Sequence, residues 1–217
     1  VFGEDFVVDK LTTAKYLTSD KYFTAMIAVK DSYPKVAEKL KELYVKTVTD
    51  SYRNLVMPGL RLNKIVLVLD VSGSMEEVRY KVMAMVSPFA PLVKDLILFS
   101  DNYYHEDPKK LLSVDGVMEL LQKAPWHVTN VRGALEEARR VAGEDDVIMI
   151  VTDEQENVDV NKQIVTPHIV VNPKPYPSHM PFDIRYVFVP GNNAESVASA
   201  YRLTQVLRLN PTTNFKI

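Results

Sequence analysis

Asp70, Ser72 and Ser74 stand at alternate positions in Asp70-Val71-Ser72-Gly73-Ser74-Met75, directly after the apolar run Lys64-Ile-Val-Leu-Val-Leu. Where a chain leaves a strand and turns, alternate side chains can project toward one point, and Gly73 relieves the backbone there. One carboxylate and two hydroxyls suit a hard cation, since Mg²⁺ takes oxygen ligands at about 2.1 Å in an octahedron that keeps several waters. Two more oxygens can reach the same edge. Thr129 precedes the amphipathic segment Val131 to Val141, and Asp153 closes the run Asp146-Val-Ile-Met-Ile-Val-Thr. Two carboxylates and three hydroxyls would then face one crevice, with Mg²⁺ as first occupant and Mn²⁺ or Ca²⁺ as ions of the same chemistry. Taken locally, an Asp followed by Ser and Gly is also an ordinary turn with a helix N-cap and no ligand.

The remaining composition narrows the chemistry. The 217 residues include no Cys, so disulfides, thiolate zinc, iron–sulfur clusters and a catalytic thiol are excluded. The four histidines, His105, His127, His168 and His179, are far apart and show no metal-ligand spacing. Val71-Ser72-Gly73-Ser74-Met75 does not satisfy the pattern of a nucleophilic serine, and no Walker or dinucleotide glycine motif occurs among only seven glycines. Phosphotransferases of the haloacid dehalogenase type need a second Asp two residues after the first, where this chain has Ser72. The expectation is therefore a protein that is not an enzyme. A net charge of −2 gives no global attraction to a phosphate backbone.

Elements must hold these side chains in place. From Lys64 onward, short apolar runs alternate with amphipathic segments, the pattern of an α/β domain on a mostly parallel sheet. Near-continuous apolar runs at 64–70 and 146–153 predict central strands covered on both faces. Weaker strands are expected at 96–100, 168–171 and 184–189, and helices at 78–86, 116–123, 131–141 and 194–207. Residues 1–61 read as a helical N-terminal extension and 62–217 as the α/β domain. In the extension, a helix starting near Asp31 or Ser32 would turn Val36, Leu40, Leu43, Tyr44, Val48 and Leu55 inward until Met57-Pro58-Gly59, with a weaker helix over 10–29. Its apolar face must dock on the α/β body or on a partner chain. Four prolines between Pro173 and Pro181 predict an extended connector, or else a peptide-binding arm. The longest uncharged apolar stretches fall short of the ~20 residues that cross a bilayer, and no signal-peptide pattern opens the chain, so it reads as soluble and off the membrane.

With its elements in this order, the chain resembles a von Willebrand factor type A domain. The metal-ion-dependent adhesion site of that family is an Asp and two Ser at alternate positions, then a Thr, then an Asp. Asp70, Ser72 and Ser74, Thr129 in Thr-Asn-Val-Arg-Gly-Ala-Leu, and Asp153 in Val-Thr-Asp-Glu match it in order. The resemblance spans about residues 62 to 209 and includes Phe99-Ser100-Asp101 after the second strand. It implies a Rossmann-like doubly wound fold with Mg²⁺ at the top of the sheet. It also implies that the serine hydroxyls touch the ion while the aspartates act through water. One position is left for a carboxylate from a protein partner. His127-Val128 stands where many members have Gly-Gly, and the helix after Asp153 is reduced to residues 156–164.

Around that edge, Asn102, Tyr103, Tyr104, Trp126 and Glu154 are candidates for a partner-binding rim. Tyr103 and Tyr104 read equally well as part of an antiparallel edge hairpin, and Trp126 as a partly buried residue positioning the loop. Glu76, Glu77, Asp101, Glu154 and Glu156 would raise cation affinity or form a solvated acidic rim. Asp70 to Met75 is similar to the intracellular branches of the family, which serve in AAA+ ATPase assemblies or in Ro-type ribonucleoproteins. That similarity implies a cytoplasmic setting. A Ro-like reading would make nucleic acid the partner, yet residues 1–60 hold nine Lys or Arg against eight Asp or Glu and are nearly neutral.

Overall fold

Residues 65–70 and 147–151 are β-branched or long aliphatic throughout except for Asp70, a composition that favours a strand packed on both sides. In the computed structural model, which describes residues 3–13, 17–55, 62–124, 128–154, 167–174, 186–191 and 194–209, they form β1 (Ile65–Asp70) and β4 (Val147–Val151). These two strands pair in parallel at the middle of a sheet. On the far side of β1 lies β2 (Val93–Phe99), also parallel, and then β3 (Tyr103–Glu106), the antiparallel edge. Beyond β4 come β5 (Ile169–Asn172) and β6 (Val187–Pro190), both parallel. The six strands run in the order β3-β2-β1-β4-β5-β6. The architecture is thus α/β with a mostly parallel sheet, as the alternation predicts.

Period-two alternation divides the core. Ile65, Leu67 and Leu69 enter one apolar cluster, whereas Val66 and Val68 enter the other, so each position of β1 before Asp70 must be apolar. Helix α6 (Val131–Val141) covers the second face with Val131, Ala134, Leu135 and Ala138. The first face is covered by α4 (Arg79–Val86), α5 (Val114–Lys123) and α7 (Ala194–Leu209), through residues such as Met83, Leu120 and Tyr201.

The N-terminal segment holds α1 (Glu4–Thr13), α2 (Ser19–Val29) and α3 (Pro34–Leu55). Two helices therefore occupy the region where one over 10–29 is expected, and Thr18 stands extended just ahead of α2. Val36, Leu40, Tyr44 and Val48 are buried along α3, and Leu43 is partly buried. Their partners belong to the same chain. The Phe23 ring packs 5.3 Å from Tyr44 and 5.6 Å from Tyr80. Ser87 Oγ donates to the Met83 carbonyl at 2.6 Å, so the Tyr44 hydroxyl, 2.8 Å away, donates to Ser87. Ser19 Oγ donates to the Ala84 carbonyl at 3.1 Å. The α3 face is thus covered within the chain, by α2 through Phe23 and by the α/β body around Ser87.

Strand order reverses between β1 and β4, because the chain first builds outward through β2 and β3 and then returns to the other side of β1. Such a reversal opens a crevice at the carboxyl ends of the two strands, where ligands of open α/β sheets bind. Asp70 ends β1, and Thr152-Asp153-Glu154 follows β4.

Candidate metal centre

Register decides which side chains meet at that crevice. Leu69 pairs with Val151, and Val151 with Val171, so Asp70, Thr152 and Asn172 form a polar row across the ends of β1, β4 and β5. Thr152 is wholly buried and its hydroxyl donates to Asp70 Oδ2 at 2.6 Å. The other Asp70 oxygen accepts from the Ser72 N–H at 2.9 Å. Both carboxylate oxygens are fixed before any ligand arrives.

From Ser72 a second chain of oxygens leads outward. Ser72 Oγ lies 3.2 Å from Ser74 Oγ, which donates to Asp153 Oδ1, also at 3.2 Å. A hydroxyl has one proton, so with the Ser74 proton on Asp153 it is Ser72 that donates to Ser74. The spacing fits a hard cation: neighbouring corners of an octahedron with 2.1 Å bonds are about 3.0 Å apart. Ser72, Ser74 and Asp153 thus present three oxygens in sequence at close to ligand spacing. Ser72 and Asp153 are buried, while Ser74 is half-buried beside exposed Gly73, which marks the solvent side of the centre.

Electrostatics add a requirement. Burial pushes the Asp70 carboxyl up to about 6 against the hydrogen bonds from Ser72 and Thr152, and the charge of Asp153 raises it further. Two carboxylates so placed call for a positive partner. One is present in Lys174. Its ammonium donates to the Ser74 carbonyl at 2.5 Å and lies 3.1 Å from Glu77 Oε1 and 3.3 Å from Asp153 Oδ2. Burial pulls the Lys174 pKa down, but Glu77 and Asp153 outweigh it and hold the ammonium above the usual range. The Lys174 N–H donates to Asn172 Oδ1 at 3.0 Å, and Asn172 Nδ2 donates to Glu154 Oε1 at 3.3 Å.

Four of the five expected ligands, Asp70, Ser72, Ser74 and Asp153, are therefore linked. Thr129 is buried on the same edge but outside this chain of hydrogen bonds. Its neighbour Asn130 donates its N–H to the Ser100 carbonyl at 2.8 Å, which ties the loop to the end of β2 instead of β4. Asn130 also caps α6 by accepting from the Gly133 N–H at 2.9 Å. Among the rim candidates, Asn102, Tyr103 and Tyr104 are exposed, the tyrosines on the edge hairpin that was one of their two readings. Trp126 and the segment 156–164 lie outside the described residues, as does most of the proline-rich connector. Glu154, expected on a solvated rim, is buried instead. It takes a left-handed backbone (φ 62°), with its N–H donated to Thr152 Oγ1 at 2.9 Å, and the Asn172 amide holds its head inward.

Among the described residues no three His, Cys, Asp or Glu side chains gather as a metal site. The candidate here has two carboxylates and completes its donor set with hydroxyls. No described helix is long and apolar enough to cross a membrane. The class that fold and crevice define is an open α/β protein with a six-stranded, mostly parallel sheet and a polar cluster at its switch point. No family model matches the chain, and no curated protein matches it either.

Proposed function

We propose that the chain is a metal-dependent protein-binding module of the von Willebrand factor type A kind, which captures an acidic side chain of a protein partner through a Mg²⁺ ion. The observation that carries the reading is the run of Ser72 Oγ, Ser74 Oγ and Asp153 Oδ1 at successive separations of 3.2 Å, at the switch point of the sheet. Ser72, Ser74 and Asp153 would hold the ion, with Asp70 behind them and Thr129 as a further donor from the β2 side. Bound there, the metal supplies a hard Lewis-acid centre that accepts a partner carboxylate and screens it from Asp70 and Asp153.

The chain's own residues do the rest. Thr152 and the Ser72 N–H keep both Asp70 oxygens engaged, which suits a fixed anion behind a cation better than a nucleophile. Exposed Gly73 and half-buried Ser74 form the approach for the partner. Exposed Tyr103 and Tyr104 offer contact area on the β3 side of that edge.

Isothermal titration with Mg²⁺, followed by capture of an immobilised Asp- and Glu-rich peptide with and without EDTA, tests the reading. Binding of Mg²⁺, peptide capture lost in EDTA, and loss of both in Ser72→Ala with Ser74→Ala are expected. Capture that is indifferent to EDTA and to the double substitution would remove the metal from the mechanism.

A further inference from the structure

Lys174 occupies an unusual place for a lysine. Its side chain is 8 % exposed, and its ammonium is set against three acceptors: the Ser74 carbonyl, Glu77 Oε1 and Asp153 Oδ2. Its hydrogen bond goes to the Ser74 carbonyl, while Glu77 and Asp153 pair with it as opposite charges. The backbone beneath is fixed as well, through the Lys174 N–H on Asn172 Oδ1. The same Ser74 and Asp153 are the outer members of the candidate cation set. Glu77 differs from the other two acceptors, since its side chain is 72 % exposed and points the way out to solvent.

We infer that Lys174 is a tethered counter-cation that holds the centre in a metal-free resting form and is driven out when a divalent ion enters. The inference rests on the metal reading above and adds how that site is regulated. Proximity favours exchange over coexistence. The Lys174 ammonium lies 3.3 Å from Asp153 Oδ2, and an ion held on Asp153 Oδ1 would share that carboxylate with it. Like charges so close repel strongly in a region shielded from water, whereas the exposed Glu77 carboxylate, 3.1 Å from the ammonium, can keep it paired farther out. Exchange needs no backbone movement, because Asn172 keeps the main chain of Lys174 in place while the flexible stem swings toward Glu77. Such a tethered competitor sets the free Mg²⁺ level at which the module becomes able to bind, by making the metal displace an internal ligand first.

Two measurements on the full chain test this. Isothermal titration should show Mg²⁺ binding to Lys174→Met at least about tenfold tighter than to wild type. Acetylation by an amine-reactive reagent, read by peptide mass spectrometry on wild type, should find Lys174 among the slowest lysines without metal. Its rate should rise severalfold on Mg²⁺ saturation while exposed lysines such as Lys109 stay unchanged. If Lys174→Met fails to fold, the labelling decides alone. Equal or weaker Mg²⁺ binding by the variant, or labelling of Lys174 indifferent to Mg²⁺ in a wild type that binds it, overturns the inference and leaves the metal centre standing. No Mg²⁺ binding by either protein overturns both.

Discussion

Replacing Thr152 with Val removes one hydroxyl and nothing else of size, which isolates the role of the polar row beneath the centre. The hydroxyl donates to Asp70 Oδ2 at 2.6 Å and accepts from the Glu154 N–H at 2.9 Å, in a side chain with 0 % exposure. Loss of a hydrogen bond to a charged group costs about 1.5–3 kcal/mol, and depriving a buried N–H of its acceptor costs about 1–3 kcal/mol. Against that, Glu154 is released from its left-handed backbone, which returns about 1–2 kcal/mol. The net expectation is a destabilisation of about 3 kcal/mol. For a chain of 217 residues this lowers the melting temperature by about 6–12 °C. Thr152→Ser keeps the hydroxyl and loses only a methyl, about 1 kcal/mol. Urea titration and thermal melts of wild type and the two variants, at constant m-value, give the comparison. If Thr152→Val lies within about 1 kcal/mol of Thr152→Ser, the hydroxyl does not bridge β1 and the β4 end, and the register argument for the site fails.

Two further outcomes follow from groups away from the centre. His105 lies 2.8 Å from both Asp95 and Glu137, and although partial burial pulls its pKa down, the two carboxylates together hold it above the ordinary value. Its contribution is therefore complete below the unfolded pKa of about 6.5 and fades as pH rises through the higher folded value. With the side chain 40 % exposed, the stability gap between wild type and His105→Gln should be at most about 1 kcal/mol at pH 6 and shrink by pH 9. A gap that grows with pH in denaturation curves contradicts the assignment. At Gly116, in the first turn of α5, helix propensity alone predicts that Ala stabilises by about 0.5–1 kcal/mol. A Cβ there would overlap the Lys110 carbonyl oxygen and stand 2.7 Å from Lys110 Cα, so Gly116→Ala should instead destabilise by about 1–3 kcal/mol. A raised melting temperature would show that the Pro108–Leu112 turn does not press on the helix.

Local pattern made the central elements readable. β1 and β4 are uniform apolar runs that no exposed helix would tolerate, and α6 spans Val131 to Val141 as its spacing predicts. β3 is legible only as one of two readings of Tyr103 and Tyr104, since Tyr103 to Glu106 are mostly exposed and an edge strand need not alternate. At the site the same division holds. Asp70, Ser72 and Ser74 are legible because a single turn brings them together. Thr152 is not legible as a local motif, because it meets Asp70 only through the Leu69 to Val151 register. A reader who places β1 beside β4 in parallel and aligns their ends can nonetheless derive it, since the residue after each aligned pair must be a neighbour. Lys174 requires one step more. After Asn172-Pro173 it reads as a solvated linker lysine, and only the packing of β5 beside β4 swings its ammonium against Asp153. That dependence is physical: the cost of burying a charge is offset only by groups that strand order supplies, so side chains that settle the electrostatics of a switch point are the last to be visible in sequence.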